Sequence, residues 1–195
     1  MKTLDWKRGM QTVQFNREVF FAQGQVVGIE SADLTFLEEA ATRSPRCRAR
    51  VCAHEHPEDA LHEMFVVLTR DGYLIPEKHV VKVESYHIVK GEADVVIFDD
   101  DGDITDVVQL GDYDSGRCFY FRARCSNFYH SLLIRSDFLL YHESATGPFR
   151  KSDTVVAPWA PAEADIPGRT AYLAELERRV DRFVMTRGGA VRAGV

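Results

Sequence analysis

From residue 46 to about 145 the chain is a succession of short β-forming runs with no helical pattern between them. "MFVVLTR", "SYHIVKG", "ADVVIFDDDGDITDVVQLG", "CFYFRAR" and "SDFLLYHES" are rich in Val, Ile, Phe and Tyr. Gly or Asp-Gly turns punctuate them at spacings of about 8–12 residues. Asp101-Gly102, set between "VVIFD" and "DITDVVQL", is a strong hairpin signal, because two-residue β-turns need backbone conformations that this pair adopts cheaply. So many strands without intervening helices leave an antiparallel sandwich or barrel as the fold class.

The flanks read differently. Residues 12–29 hold two apolar bursts broken by Gly24, which suggest short strands or an extended arm. In "SADLTFLEEAATRSPR", Thr35 and Glu38 have capping-box spacing and Leu34, Leu37 and Ala41 recur at helical intervals, so a helix is expected over 32–43, stopped by Pro45. A Pro-rich stretch follows "GPF" at 147–149. The chain then enters "RTAYLAELERRVDRFVM", where Leu173, Leu176, Val180 and Phe183 mark one face of a terminal helix. That helix is expected to pack on the barrel or on a second subunit. The expected organisation is an N-terminal arm and helix over 1–45, a barrel over 46–150 and a C-terminal extension over 151–195, all in one structural domain. A chain of 195 residues can bury a core of that size.

Composition excludes some functions. A net charge of −6, with Lys and Arg scattered along the chain, is not the clustered basic surface of a nucleic-acid binder. No apolar run approaches the roughly 18 residues of a membrane span, and the N-terminus lacks the apolar stretch of a secretion signal. A cytoplasmic protein is expected. Its four cysteines, at 47, 52, 118 and 125, form no C-x-x-C pair, so free thiols are expected rather than a zinc-thiolate site.

The chemistry concentrates in "IPEKHVVKVESYHIVKG", residues 75–91. Residues two apart on a strand face the same side, so Glu77 and His79 face together, as do Glu84, Tyr86 and Ile88 on the returning strand. Two carboxylates and an imidazole can converge on one divalent cation, with His130 of "RCSNFYHSLLI" as a fourth ligand. Inside a barrel these would be buried charges, and a metal is the usual reason to keep them. A solvated charge at Glu77, a surface pair at His79 and Glu84, and a hydrogen-bonded core imidazole at His130 are the alternatives.

The pattern Glu77-x-His79-x4-Glu84-x6-Gly91 resembles the first cupin motif, and "CSNFYH", ending in His130, resembles the second. "SPRCRARVCAH", "DDDG", "GPF" and "APWAPAE" are similar to stretches of cupin-fold metalloproteins of the WbuC type. The resemblance runs from about residue 17 to 175. It implies an antiparallel double-stranded β-helix, the cupin jelly-roll barrel, with metal held by Glu77, His79, Glu84 and His130. It also implies an association with surface-polysaccharide gene clusters. Glu77 stands where the family has a His, and Cys125 and Asn127 stand where the second motif has Pro and Gly.

Around this site, Tyr86 and Glu143 are candidate acid/base groups, and Tyr120, Arg122 and Tyr141 are candidate substrate contacts, Arg122 as a bidentate anion clamp. Core or rim packing is the competing role for each. His54 and His56 fit the first motif superficially but lack its downstream Glu and Gly, so a rim position is expected, with an alternative metal site as the other possibility. His62, His87 and His142 are expected to pack in the core or on the surface, with His87 pointing away from the metal. "DDDGD" lacks the spaced ligands of a calcium loop and reads as a turn.

The donor set suits one divalent ion such as Fe, Mn, Ni or Zn. Two function classes follow. One is a metal-dependent enzyme (isomerase, epimerase, lyase or dioxygenase) acting on a small polar molecule such as a sugar or nucleotide sugar. The other is a non-catalytic metal-dependent binding or sensing module. A barrel that has lost its metal through Glu77 is a third. Exposed sheet edges need cover, which suggests a homodimer.

Overall fold

A computed structural model describes residues 10–124 and 127–192. Two short strands, β1 (Thr12–Gln14) and β2 (Val19–Ala22), precede helix α1 (Ser31–Arg43). Then follow β3 (Arg48–Cys52), β4 (Leu61–Thr69), β5 (Glu77–His79), β6 (Val83–Lys90), β7 (Glu92–Phe98) and β8 (Ile104–Gly111). The last strands are β9 (Tyr120–Arg124), β10 (Tyr129–Ile134), β11 (Phe138–Thr146) and β12 (Thr154–Val156), before helix α2 (Ile166–Arg192).

Among the described residues these strands form two sheets, ordered β1-β2-β3-β4-β11-β6-β9 and β12-β5-β10-β7-β8. The eight strands from β4 to β11 divide between them as a jelly roll does. Consecutive strands switch sheets or form hairpins, and the last strand, β11, returns to lie between β4 and β6. All the pairings are antiparallel except β2 on β3. The chain is therefore all-β with flanking helices, a jelly roll. Strands β1, β2 and β12 lie outside residues 46–150 yet are hydrogen-bonded into the same two sheets.

The inner faces close on one core. Leu68, Ile88, Val95, Leu110, Leu132, Ile134 and Leu139 pack together there. The outer face of the first sheet is covered by α1, where Leu37 and Ala41 sit at 0% exposure against Ala49, Val51, Val67 and Leu140. The outer face of the second is covered by α2, through Leu176 and Val180 against Val96, Phe98, Tyr129 and Leu133. The terminal helix thus packs on the barrel, along the face expected from its apolar stripe.

Two expectations fail locally. Both N-terminal strands lie before Gly24, and the break between them falls at residues 15–18, where the Asn16 side chain accepts from the amides of Glu18 and Val19. The start of α1 is held not by Thr35 and Glu38 but by Asp33, whose carboxylate accepts the Glu30 amide at 2.8 Å and also reaches the Met10 amide. That second contact comes from a segment 23 residues away, so local spacing carries no signal of it.

Two glycines turn the barrel's corners. Gly91 (φ 92°) carries the chain from β6 to β7, where a Cβ would stand 2.3 Å from the Phe138 carbonyl oxygen. Gly102 (φ 88°) closes the β7–β8 hairpin beneath the Trp159 ring, and the Asp99 carboxylate accepts from the amides of Asp101 and Asp103. The "DDDG" run is a turn, as its composition suggests.

Candidate metal centre and its cavity

Strand parity delivers the site. Along β6, Glu84, Tyr86 and Ile88 alternate inward and are buried, while His87 points out beside Phe119. Next to β10 in the other sheet, β5 brings Glu77 opposite His130, and β12 brings Thr154 opposite His79. The two sheets meet with His79, Glu84 and His130 facing one another. All three are buried, and one ligand atom from each lies within 4.8 Å of the others.

The imidazoles converge on the carboxylate. His130 Nε2 lies 2.6 Å from Glu84 Oε1, and His79 Nε2 lies 3.4 Å from Glu84 Oε2. The rings meet edge to face at 5.5 Å. The far nitrogen of His79, Nδ1, is 3.2 Å from the Thr154 hydroxyl, which orients the ring with Nε2 toward the cluster. Metal–ligand bonds of about 2.1 Å place ligand atoms roughly 3–4 Å apart, so this donor set fits one ion with modest adjustment. Glu77 stands beside the three, its Oε1 3.5 Å from His79 Nε2, but outside the 4.8 Å group.

Two further groups bind Glu84. The Tyr86 hydroxyl donates to Oε1 at 2.6 Å, and the Lys82 ammonium sits 2.9 Å from Oε2 and 3.2 Å from Glu143 Oε1. Burial pushes the Glu84 carboxyl up, but hydrogen bonds from His130 and His79 and the Lys82 charge more than offset this and hold it well below the usual carboxylate range. Among the described residues Glu77 has only the looser contact with His79 Nε2. Burial raises its carboxyl, with the charges of His79, His130 and Lys82 opposing. Burial pulls Lys82 down while Glu143 and Glu84 raise it, and the acids win. Lys82 is the residue that the motifs miss. It shares the parity of Glu84 and Tyr86, and that is the signal by which the sequence announces it.

The cluster lies in the wall of a cavity of about 960 Å³ between the sheets. Tyr86, Tyr141 and Glu143 line it, as do the neighbouring His54 and His62, whose rings stack at 4.2 Å. His54 accordingly occupies a rim position, while His56 is exposed. His142 faces away, paired with Glu63 at 2.5 Å. Tyr120 and Arg122 correct the sequence reading. Both are exposed on β9, and neither is among the residues lining the cavity, because their even numbers place them on the outer face opposite Phe121 and Ala123. Cys47, Cys52 and Cys118 are free thiols; Cys125 lies outside the described residues. No helix of the described residues is long and apolar enough to cross a membrane.

A family model described as a domain of unknown function (DUF6016) matches residues 29–110, which include Glu77, His79 and Glu84 but not His130. No curated protein matches the chain. Solved structures resemble it at low identity. A structural-genomics protein from Shewanella oneidensis is 15% identical over 63% of this chain and 75% of its own, with a TM-score of 0.44. A point variant of Bacillus subtilis oxalate decarboxylase is 19% identical over 56% of this chain and 27% of its own, at 0.42. The DMSP lyase DddQ from Ruegeria pomeroyi is 18% identical over 56% and 51%, at 0.41. The chain spans only about a quarter of the oxalate decarboxylase and half of the lyase.

Proposed function

We propose that this jelly roll is a metal-binding cupin that acts on a small polar molecule in the cavity between its sheets. The observation that carries the reading is the buried convergence of His79, Glu84 and His130 in the wall of that cavity. Two imidazoles and a carboxylate held ionised are a donor set for a divalent ion such as Fe, Mn, Ni or Zn. Glu77 is the fourth ligand in this reading, moving the short distance from beside His79.

When bound, the ion supplies Lewis-acid polarisation of a ligand oxygen, or a site for redox chemistry. The chain's own residues do the rest. Thr154 orients His79 and Tyr86 orients Glu84. Lys82 and Glu143, in contact and both facing the cavity, can hold or move a proton beside the substrate. The reaction class is an isomerase, epimerase, lyase or dioxygenase step. The resemblance to the WbuC type makes a sugar of surface-polysaccharide biosynthesis the substrate class to screen first. Pairing through the exposed sheet edges as a homodimer belongs to the same reading.

Metal content by mass spectrometry on untagged protein, beside Glu77→Ala and His130→Ala, tests it. About one equivalent in the wild type and none in either variant is the expected result. Metal lost only in His130→Ala makes Glu77 a bystander to the ion. No metal after reconstitution with Fe(II), Mn, Ni and Zn overturns the enzyme reading.

A further inference from the structure

Strand β3 turns Arg48 and Arg50 toward the cavity, and Arg46, in the turn before it, lines the same wall. Arg48 and Arg50 share the parity of Cys52, whose side chain lies in the barrel core, while Ala49 and Val51 face α1. Arg46 and Arg48 are neutralised. Each reaches both Glu18 and Glu163, at distances from 2.8 to 3.6 Å. Arg50 has no carboxylate within 4.0 Å among the described residues. Its charge reaches into the cavity, where it pulls the Cys52 thiol and the Tyr141 phenol down against the effect of burial. A guanidinium on a cavity wall, beside the Cys52 thiol and with no carboxylate on its fork, can serve as a bidentate oxyanion receptor.

The cavity's overall charge agrees. Six acidic and six Lys or Arg side chains line it, so a divalent ion leaves it positive within a chain of net charge −6. Such a pocket concentrates anions. In sheet order β3 and β6 are three strand spacings apart, roughly 14 Å of backbone, so Arg50 stands well apart from Glu84.

We propose that Arg50 recognises a carboxylate or phosphate on the substrate, remote from the atoms that approach His79, Glu84 and His130. The substrate class is then an acidic small molecule, such as a sugar acid or sugar phosphate, rather than a neutral sugar. This rests on the cavity being the substrate site proposed above, with Arg50 taking the part that the sequence suggested for Arg122.

Calorimetric titration of succinate, inorganic phosphate and glucose decides it, using metal-free and Mn-loaded wild type, Arg50→Met and Arg50→Lys. One anion is expected to bind the wild type and to lose at least tenfold in affinity in Arg50→Met, with partial recovery in Arg50→Lys. Whichever anion binds more tightly separates the carboxylate from the phosphate source. Equal anion affinity in wild type and Arg50→Met overturns the proposal, and so does a wild type that binds neither anion. Metal content measured on the same samples keeps the two readings apart. A wild type without metal defeats the metal centre, while the metal-free titrations still judge Arg50. Thermal melts confirm that the variants fold, which the exposure of Arg50 favours.

Discussion

Glu84 and Asp94 are both carboxylates taken out of water, at 2% and 0% exposure, and the chain surrounds them with different partners. Asp94 is closed off by a guanidinium. Arg135 Nε donates to it at 2.6 Å, and the rest of the fork spends itself on Glu177 and Asp181 of α2. That cluster ties β7 and β10 to the terminal helix, and its donors are fixed cations that no ion can replace. Glu84 faces the Lys82 ammonium too, but also two imidazoles and a phenol, groups that can turn a lone pair or a hydrogen bond toward a metal. Burial lifts the Asp94 carboxyl above its ordinary value even with Arg135 opposing, whereas Glu84 is held low. The surroundings rather than the burial thus fit Asp94 as a clamp and, in the function proposed, Glu84 as a ligand.

The largest effect that can break this contrast is metal-dependent stability. An ion at about a thousand times its dissociation constant stabilises the fold by about 4 kcal/mol. Thermal melts of the wild type are expected to rise accordingly with added Mn or Zn, and those of Glu84→Ala not at all. Asp94→Ala is expected to show the same metal-induced rise from a lower starting point. Removing one partner of a buried ion pair costs about 3–5 kcal/mol. The lower end is expected here, because Glu177 and Asp181 still neutralise Arg135. A metal-induced rise abolished in Asp94→Ala, or retained in Glu84→Ala, dissolves the distinction.

The sequence makes much of this legible, and for identifiable reasons. The β6 face of Glu84, Tyr86 and Ile88 follows from a period of two, and so does the outward turn of His87. The barrel follows from turn chemistry at residues such as Gly91 and Gly102, where no other side chain fits. What escapes is whatever depends on distant partners. Arg122 looks like an anion clamp in the sequence, but strand parity relative to buried Phe121 sends it outward. Arg50 looks like any charged strand residue until Glu18 and Glu163 are seen to occupy its two neighbours. Thr154, which orients His79, lies 75 residues away from it on a three-residue strand that no periodicity reveals.

The smallest effect sharpens the contrast most, because it separates a hydrogen bond from the packing around it. Tyr86→Phe keeps a ring against Phe121 and Tyr141, at centroid distances of 5.7 and 5.2 Å, and removes only the hydroxyl that donates to Glu84 Oε1. If Glu84 is a ligand, its orienting partner is worth about 10–100-fold in metal affinity, and titration calorimetry with Mn should read that loss. If Glu84 is merely a buried acid like Asp94, the same substitution costs the metal-free protein about 1.5–3 kcal/mol and leaves metal binding unmoved. Denaturant unfolding of the metal-free variant supplies the second number. A metal affinity unchanged alongside a full stability loss places Glu84 in the structural class and leaves His79 and His130 to be explained as core imidazoles.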